Sequence, residues 1–204
     1  MFHKTHAPMA GSLFAPNTPL LNQYADLGRI AKLEGTESVQ THCLDHVVDC
    51  DEIDFLKMDV QGAELSVLKG AKRLLSTALV IQSEVEFIQL YLDQPLFADI
   101  DSHLRNVGFQ VRTFLSFGSK QRVPAQTHTF KLGEVKQLLW SDAVYIPELV
   151  HLETLSNARL LKLAVLLHDL YGSMDYTLAV LDALKQRGQS APYEAYLARL
   201  QSNQ

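Results

Sequence analysis

From Ile53 to Glu64 the chain reads Ile-Asp-Phe-Leu-Lys-Met-Asp-Val-Gln-Gly-Ala-Glu, and no other stretch constrains the fold as tightly. A mostly apolar run ends in Asp59, a turn containing Gly62 follows, and a helix-like segment opens at Glu64. Such a pattern is a buried strand that delivers a carboxylate at its carboxyl end, the crevice where open α/β sheets bind ligands. Alternation places Phe55, Lys57 and Asp59 on one face of that strand. A lysine within a buried strand is costly unless paired. Lys57 therefore implies a site or an internal ion pair, with Asp59 or Glu84 as partner.

Around this strand the pattern predicts an α/β order. Val39 to Leu44 reads as a short strand. Glu64 to Leu75 reads as a helix interrupted or capped near Gly70. Ala78 to Val85 reads as a strand, Leu96 to Val107 as a helix closed by Gly108, and Phe109 to Phe117 as another strand. A polar loop is expected over Gly118 to Gly133, and a last strand over Gln137 to Ile146. The first two crossovers are expected to be parallel and right-handed, and the closing pair a hairpin-like antiparallel edge. Residues 1–37 read as an irregular amino-terminal segment, because Pro8, Gly11, Pro16 and Pro19 interrupt regular structure. Residues 38–147 then form the α/β domain and 148–204 a helical appendage. In the appendage Ser156, Ser173 and Ser190 stand at helix starts and Gly172 and Gly188 at helix ends.

These motifs together resemble the FkbM family of methyltransferases. The resemblance rests on Asp54-Phe55-Leu56-Lys57-Met58-Asp59-Val60-Gln61-Gly62-Ala63-Glu64 followed by Leu68-Lys69-Gly70-Ala71. It is supported by Leu44-Asp45, Ser83-Glu84-Val85-Glu86-Phe87, Leu90 to Phe97 and Leu104 to Phe109, in the family's order, and it covers roughly Ser12 to Ile146. It implies a Rossmann-like sheet and methyl transfer from S-adenosylmethionine, typically to an oxygen of a small molecule or sugar. No Gly-x-Gly pattern stands in the chain. The segment before Leu44 is also too short for two βαβ units of about 30 residues each. The chain thus reads as the later half of such a sheet. It is then an enzyme, a non-catalytic remnant or interaction module, or a half-enzyme completed by another polypeptide.

Composition narrows the partners. A net charge of -5 argues against nucleic acid. No apolar run reaches the length of a membrane span, and the amino terminus lacks a signal-peptide core, so a cytoplasmic location is expected. A homo-oligomer or a complementing chain is the expected protein partner. Cys43 and Cys50, with His42 and His46 nearby, match no trusted zinc spacing, and no metal is expected.

Asp59 is the first candidate for catalysis, because a carboxylate at a strand end can hold an acceptor hydroxyl or take its proton. The alternative is that it caps the following turn. Glu64 is split between a site role and a cap at a helix amino terminus, and Glu84 is the third catalytic candidate. Glu84 and Glu86 share a face of their strand, one expected to reach the crevice and the other to be solvated or capping. Lys57, Asp59 and Gly62 are the candidate cofactor-binding residues, Gly62 as the residue permitting a tight turn.

Overall fold

The computed structural model describes residues 1–123 and 137–202. In chain order it begins with strand β1 (Phe2–Thr5), the one-turn helices α1 (Thr18–Leu21) and α2 (Leu27–Ile30), and strand β2 (Leu33–Glu37). A short helix α3 (Leu44–Val47) precedes β3 (Phe55–Met58), α4 (Glu64–Lys69), α5 (Lys72–Leu75), β4 (Val80–Glu86) and α6 (Phe97–Arg105). Then come β5 (Phe109–Lys120), β6 (Gln137–Pro147) and the helices α7 (Asn157–Tyr171), α8 (Met174–Gln186) and α9 (Ala191–Ser202).

The main sheet has the order β3-β4-β6-β5, with β3 parallel to β4 and β6 antiparallel to both its neighbours. The chain is therefore α/β, as expected from the alternation of strand and helix. The closing pair forms the expected antiparallel edge, with β6 placed between β4 and β5 and β5 as the edge strand. Apolar side chains on both faces explain the insertion. Ala143 and Tyr145 pack into one core and Val144 and Ile146 into the other, all without measurable exposure. Strands buried on both faces belong in the middle of a sheet.

The two cores make a three-layer sandwich. On one face Met58, Ile81 and Val85 meet Leu65, Leu68, Leu74, Ile100 and Leu104 from α4, α5 and α6. On the other, Val80, Val144 and Ile146 meet Leu160, Leu163, Leu167, Val180 and Leu184 from α7 and α8. Ser156 caps α7 by accepting from the Arg159 N–H, and Gly172 ends it in the left-handed conformation (φ 57°). Arg159 fastens α7 to the start of β3. Its guanidinium bonds Glu52 at 2.8 Å, Asp54 at 3.3 Å and the carbonyls of Ile53 and Thr77.

Two expectations are corrected. Residues 1–37 are not irregular: β1 and β2 pair antiparallel, and Ala10, Leu21, Tyr24, Leu27 and Ala31 form a third core with Leu139. The prolines are compatible with this because Pro8 and Pro19 occupy the first turns of short helices, where the missing N–H costs nothing. Val39 to Leu44 forms no strand. Its polar residues are exposed and no strand lies beside them, while Leu44 packs against the first core. The expected loop begins later than Gly118, since β5 continues to Lys120, and most of it lies outside the described residues. No helix among the described residues is long and apolar enough to cross a membrane.

The second core makes a stability test. Leu163 on α7 has no exposed surface, whereas Val165 is 57% exposed. Leu163→Ala is expected to cost about 2–5 kcal/mol and Val165→Ala less than about 0.5 kcal/mol. Denaturant unfolding of both variants measures the difference.

Candidate active site

β3 and β4 run parallel, so their carboxyl ends lie side by side, and Asp59, Glu84 and Glu86 come together there. Alternation along β4 turns Gln82, Glu84 and Glu86 to the same face as Val80. Near the start of the strand α7 covers this face, and the Tyr171 hydroxyl donates to Gln82 at 3.1 Å. Beyond it the cover is the amino-terminal segment. That segment is pinned by Asn17 N–H to Leu90 O at 2.9 Å, Leu92 N–H to Ala15 O at 2.8 Å and the Ser12 hydroxyl to Gln61 O at 2.6 Å. A cavity of about 350 Å³ remains beneath it, with Asp59, Gln61, Glu84, Glu86, Tyr91 and Trp140 among its lining. Trp140 lies across Gly118, its register partner, in the space a Cβ would take.

Gln61 organises the acids. Its side-chain N–H groups donate to Asp59 Oδ1 and to Glu84 Oε2, each at 2.8 Å. Its carbonyl oxygen lies 2.9 Å from the Tyr91 hydroxyl, which also meets Ala10 O at 2.9 Å. Tyr91 thereby fixes which end of the amide faces the carboxyls. The turn carrying Gln61 is left-handed at two successive residues, Gln61 (φ 53°) and Gly62 (φ 95°). Such backbone in a non-glycine residue persists only where its surroundings hold it, and here Ser12, Tyr91 and both carboxyls do so.

Burial and crowding set the protonation. The Glu84 carboxyl is pushed up to about 9 by burial and then by the charges of Glu86, Asp59 and Glu64. Burial and then the charge of Glu64 push Glu86 up to about 8. Both keep their protons at neutral pH. Glu84 then serves as a hydrogen-bond donor, with the exposed side chain of Asp59 beside it. Glu86 is 2% exposed, and its Oε2 has no hydrogen bond of good geometry among the described residues. Tyr91 is also raised, by burial and then by the surrounding acids.

The sequence candidates divide. Asp59 and Glu84 stand together on the cavity. Glu64 does not line it: fully buried at the start of α4, it accepts the Val60 N–H at 2.7 Å and braces the turn from behind. Its carboxyl is raised chiefly by burial, against hydrogen bonds from the turn's own N–H groups. Lys57 is exposed on the edge strand and forms no ion pair among the described residues. The expected pairing with Asp59 or Glu84 is thus corrected, because an edge strand leaves the ammonium in water. Gly62 is buried behind Gln94, with a Cβ position only 3.1 Å from its Nε2, so its space is filled by protein. Asp45 caps α5 instead, accepting from the N–H groups of Arg73 at 2.8 Å and Leu74 at 3.1 Å. Gln61, Tyr91 and Trp140 were not singled out from the sequence. A glutamine between a strand-end acid and a turn glycine was the available signal for the first, and nothing local marked the other two. No group of three or more His, Cys, Asp or Glu suited to a metal ion occurs among the described residues.

The family model described as the methyltransferase FkbM domain matches residues 5–111, more than half of the 204-residue chain. The match begins within the segment that the sequence reading set outside the domain. No curated protein and no solved structure matches the chain. Methyl transfer implies a methyl donor, and the site fits one only in part. Acids at the end of β3 suit a cationic sulfonium, but the strand-end glycine turn is packed by Gln94 and offers no cradle for a nucleoside.

Raised carboxyl pKa values also govern stability. Each group's contribution is fully present below its unfolded value near 4.5 and is lost as pH rises through about 8 for Glu86 and about 9 for Glu84. The melting temperature is therefore expected to fall between about pH 5 and pH 9, with a shallower fall in Glu86→Gln. Parallel melting curves across that range would refute the raised pKa of Glu86.

Proposed function

This chain belongs to the FkbM methyltransferase family, and from that premise we propose that its cavity holds the acceptor in an O-methyl transfer from S-adenosylmethionine. The acceptor class is a small molecule or sugar hydroxyl. One observation carries the reading: an exposed carboxylate, Asp59, and a carboxyl that keeps its proton, Glu84, are joined by one glutamine amide on a cavity. Environments that push two acids apart assign an acid and a base.

S-adenosylmethionine, when bound, supplies an electrophilic methyl group, and what this chain supplies is the handling of the acceptor. Asp59 accepts the hydroxyl hydrogen bond and takes the proton as the oxygen becomes bonded to carbon. Glu84 cannot be that base at neutral pH, and its O–H instead orients the pair. Gln61 fixes both carboxyls, and the amino-terminal segment with Trp140 walls the cavity beside them.

A second reading is favoured by the free side of β3. Among the described residues no strand pairs its outer edge, and Phe55 is 36% exposed there. Exposed edges accept further strands, so another polypeptide that pairs with β3 would complete the donor side.

The test is transfer of labelled methyl to a panel of hydroxyl compounds at high donor concentration. Asp59→Asn is expected to lower transfer by about 10²-fold or more with little change in melting temperature. A capping role alone would instead cost roughly 1 kcal/mol of stability and leave turnover intact. Calorimetric titration of the chain with S-adenosylmethionine is expected to fall short of a low-micromolar Kd, about -8 kcal/mol. Binding of that strength would show that the donor has its cradle within this chain.

A further inference from the structure

The cavity has a composition that the transfer reading does not use. Its walls are apolar, from Leu21, Leu27, Ile30, Ala31 and Leu90, with the Trp140 indole. Its polar lining among the described residues is mainly acidic: Asp59, Glu84 and Glu86, against Lys120. Glu86 is the deepest of these, 2% exposed; Gln94 faces its carboxyl, and Oε2 is left without a hydrogen bond of good geometry among the described residues. A buried acceptor without a donor is costly, and native structures rarely leave one unless something outside the chain supplies the donor.

Resting on the reading that this cavity holds the acceptor, we propose that the acceptor is an amphipathic amino alcohol: a compound with an apolar body for the Leu21–Leu27–Trp140 wall, the hydroxyl that is methylated, and an ammonium group that donates to Glu86 Oε2 and its neighbouring acids.

An ammonium has three donors and no acceptor, the complement of a lining with a spare buried carboxyl oxygen. A neutral alcohol offers one donor and leaves the crowded acids as they are. An anion brings no donor to the spare oxygen of Glu86. A cation within reach offsets the burial and crowding that hold protons on Glu84 and Glu86, so the site gains from filling in a way an alcohol cannot reproduce. The volume, about 350 Å³, lies in the range of small-molecule sites. The cavity lies toward β6 and β5, away from the free edge of β3, which leaves Asp59 between the bound amine and that edge.

Trp140 is the only tryptophan in the chain, so its fluorescence reports filling of the cavity. The probes are n-octylamine, n-octanol and n-octanoate at neutral pH. Octylamine is expected to give a saturable change at least about tenfold tighter than octanol, and octanoate none. Glu86→Gln, checked for folding by its melting curve, is expected to weaken octylamine by about tenfold or more and leave octanol unaltered. Equal affinity for octylamine and octanol, octanoate binding as tightly as octylamine, or full octylamine affinity in folded Glu86→Gln would each overturn the proposal. The three-probe comparison on the wild-type chain decides it even where the variant does not fold. The assay contains no methyl donor. Its failure would therefore leave methyl transfer standing, and a failed transfer assay would leave amine binding standing.

Discussion

The architecture of the site depends on one amide placed between two carboxyls. Parallel pairing of β3 with β4 forces Asp59 and Glu84 to share a corner, and like charges in a low-dielectric corner repel strongly. Gln61 bridges them with one N–H each. A lysine there would neutralise a charge and carry no acceptor for Tyr91, and an aspartate would add to the repulsion. A neutral amide with two donors and one acceptor satisfies both acids and the tyrosine at once, and leaves the acids' protonation to burial. The left-handed backbone at Gln61 and Gly62 is what brings the amide into that position.

Two of the groups that hold the turn are brought from a distance. Ser12 reaches it from the amino-terminal segment and Tyr91 from beyond β4, while Glu64 braces it locally from the helix behind. A turn fixed by long-range partners is rigid only once the whole domain has assembled. The same contacts close the cavity, so assembly of the domain and formation of the binding site are one event. At the other end of β3, Arg159 performs the corresponding task for α7, with its guanidinium mostly enclosed and its donors shared among acids and carbonyls. Breaking such a buried charge from its partners is far costlier than losing a surface pair.

How much of this was legible in the sequence follows from how local each signal is. The strand ending at Asp59, the turn at Gly62 and the helix beginning at Glu64 were readable, because strand period, glycine and an opening acid all act within a few residues. The α7 cap at Ser156 and its end at Gly172 were readable for the same reason. The fold of residues 1–37 was not, since its prolines suit both loops and first helical turns, and only Leu139, far along the chain, reveals that Leu21, Tyr24 and Leu27 belong to a core. The charge of Lys57 was over-read: alternation gave its face correctly, but not that β3 is an edge with water beside it. Glu64 was left open between a cap and a site role, because a first-turn glutamate can point back to the strand end or out into the crevice, and it accepts the Val60 N–H of the turn.

The inserted strand also sets an order of events. β5 pairs with β6 alone, and β6 lies between it and β4. Until residues 137–147 leave the ribosome, the long strand Phe109–Lys120 has no partner in the sheet, although every element before it has been made. Its backbone edge is then unpaired for the time needed to synthesise the intervening residues, about 1–6 s at bacterial-to-eukaryotic elongation rates. During that interval the nascent chain is most open to capture by a chaperone or by another nascent copy, and the arrival of β6 ends it by taking both edges at once.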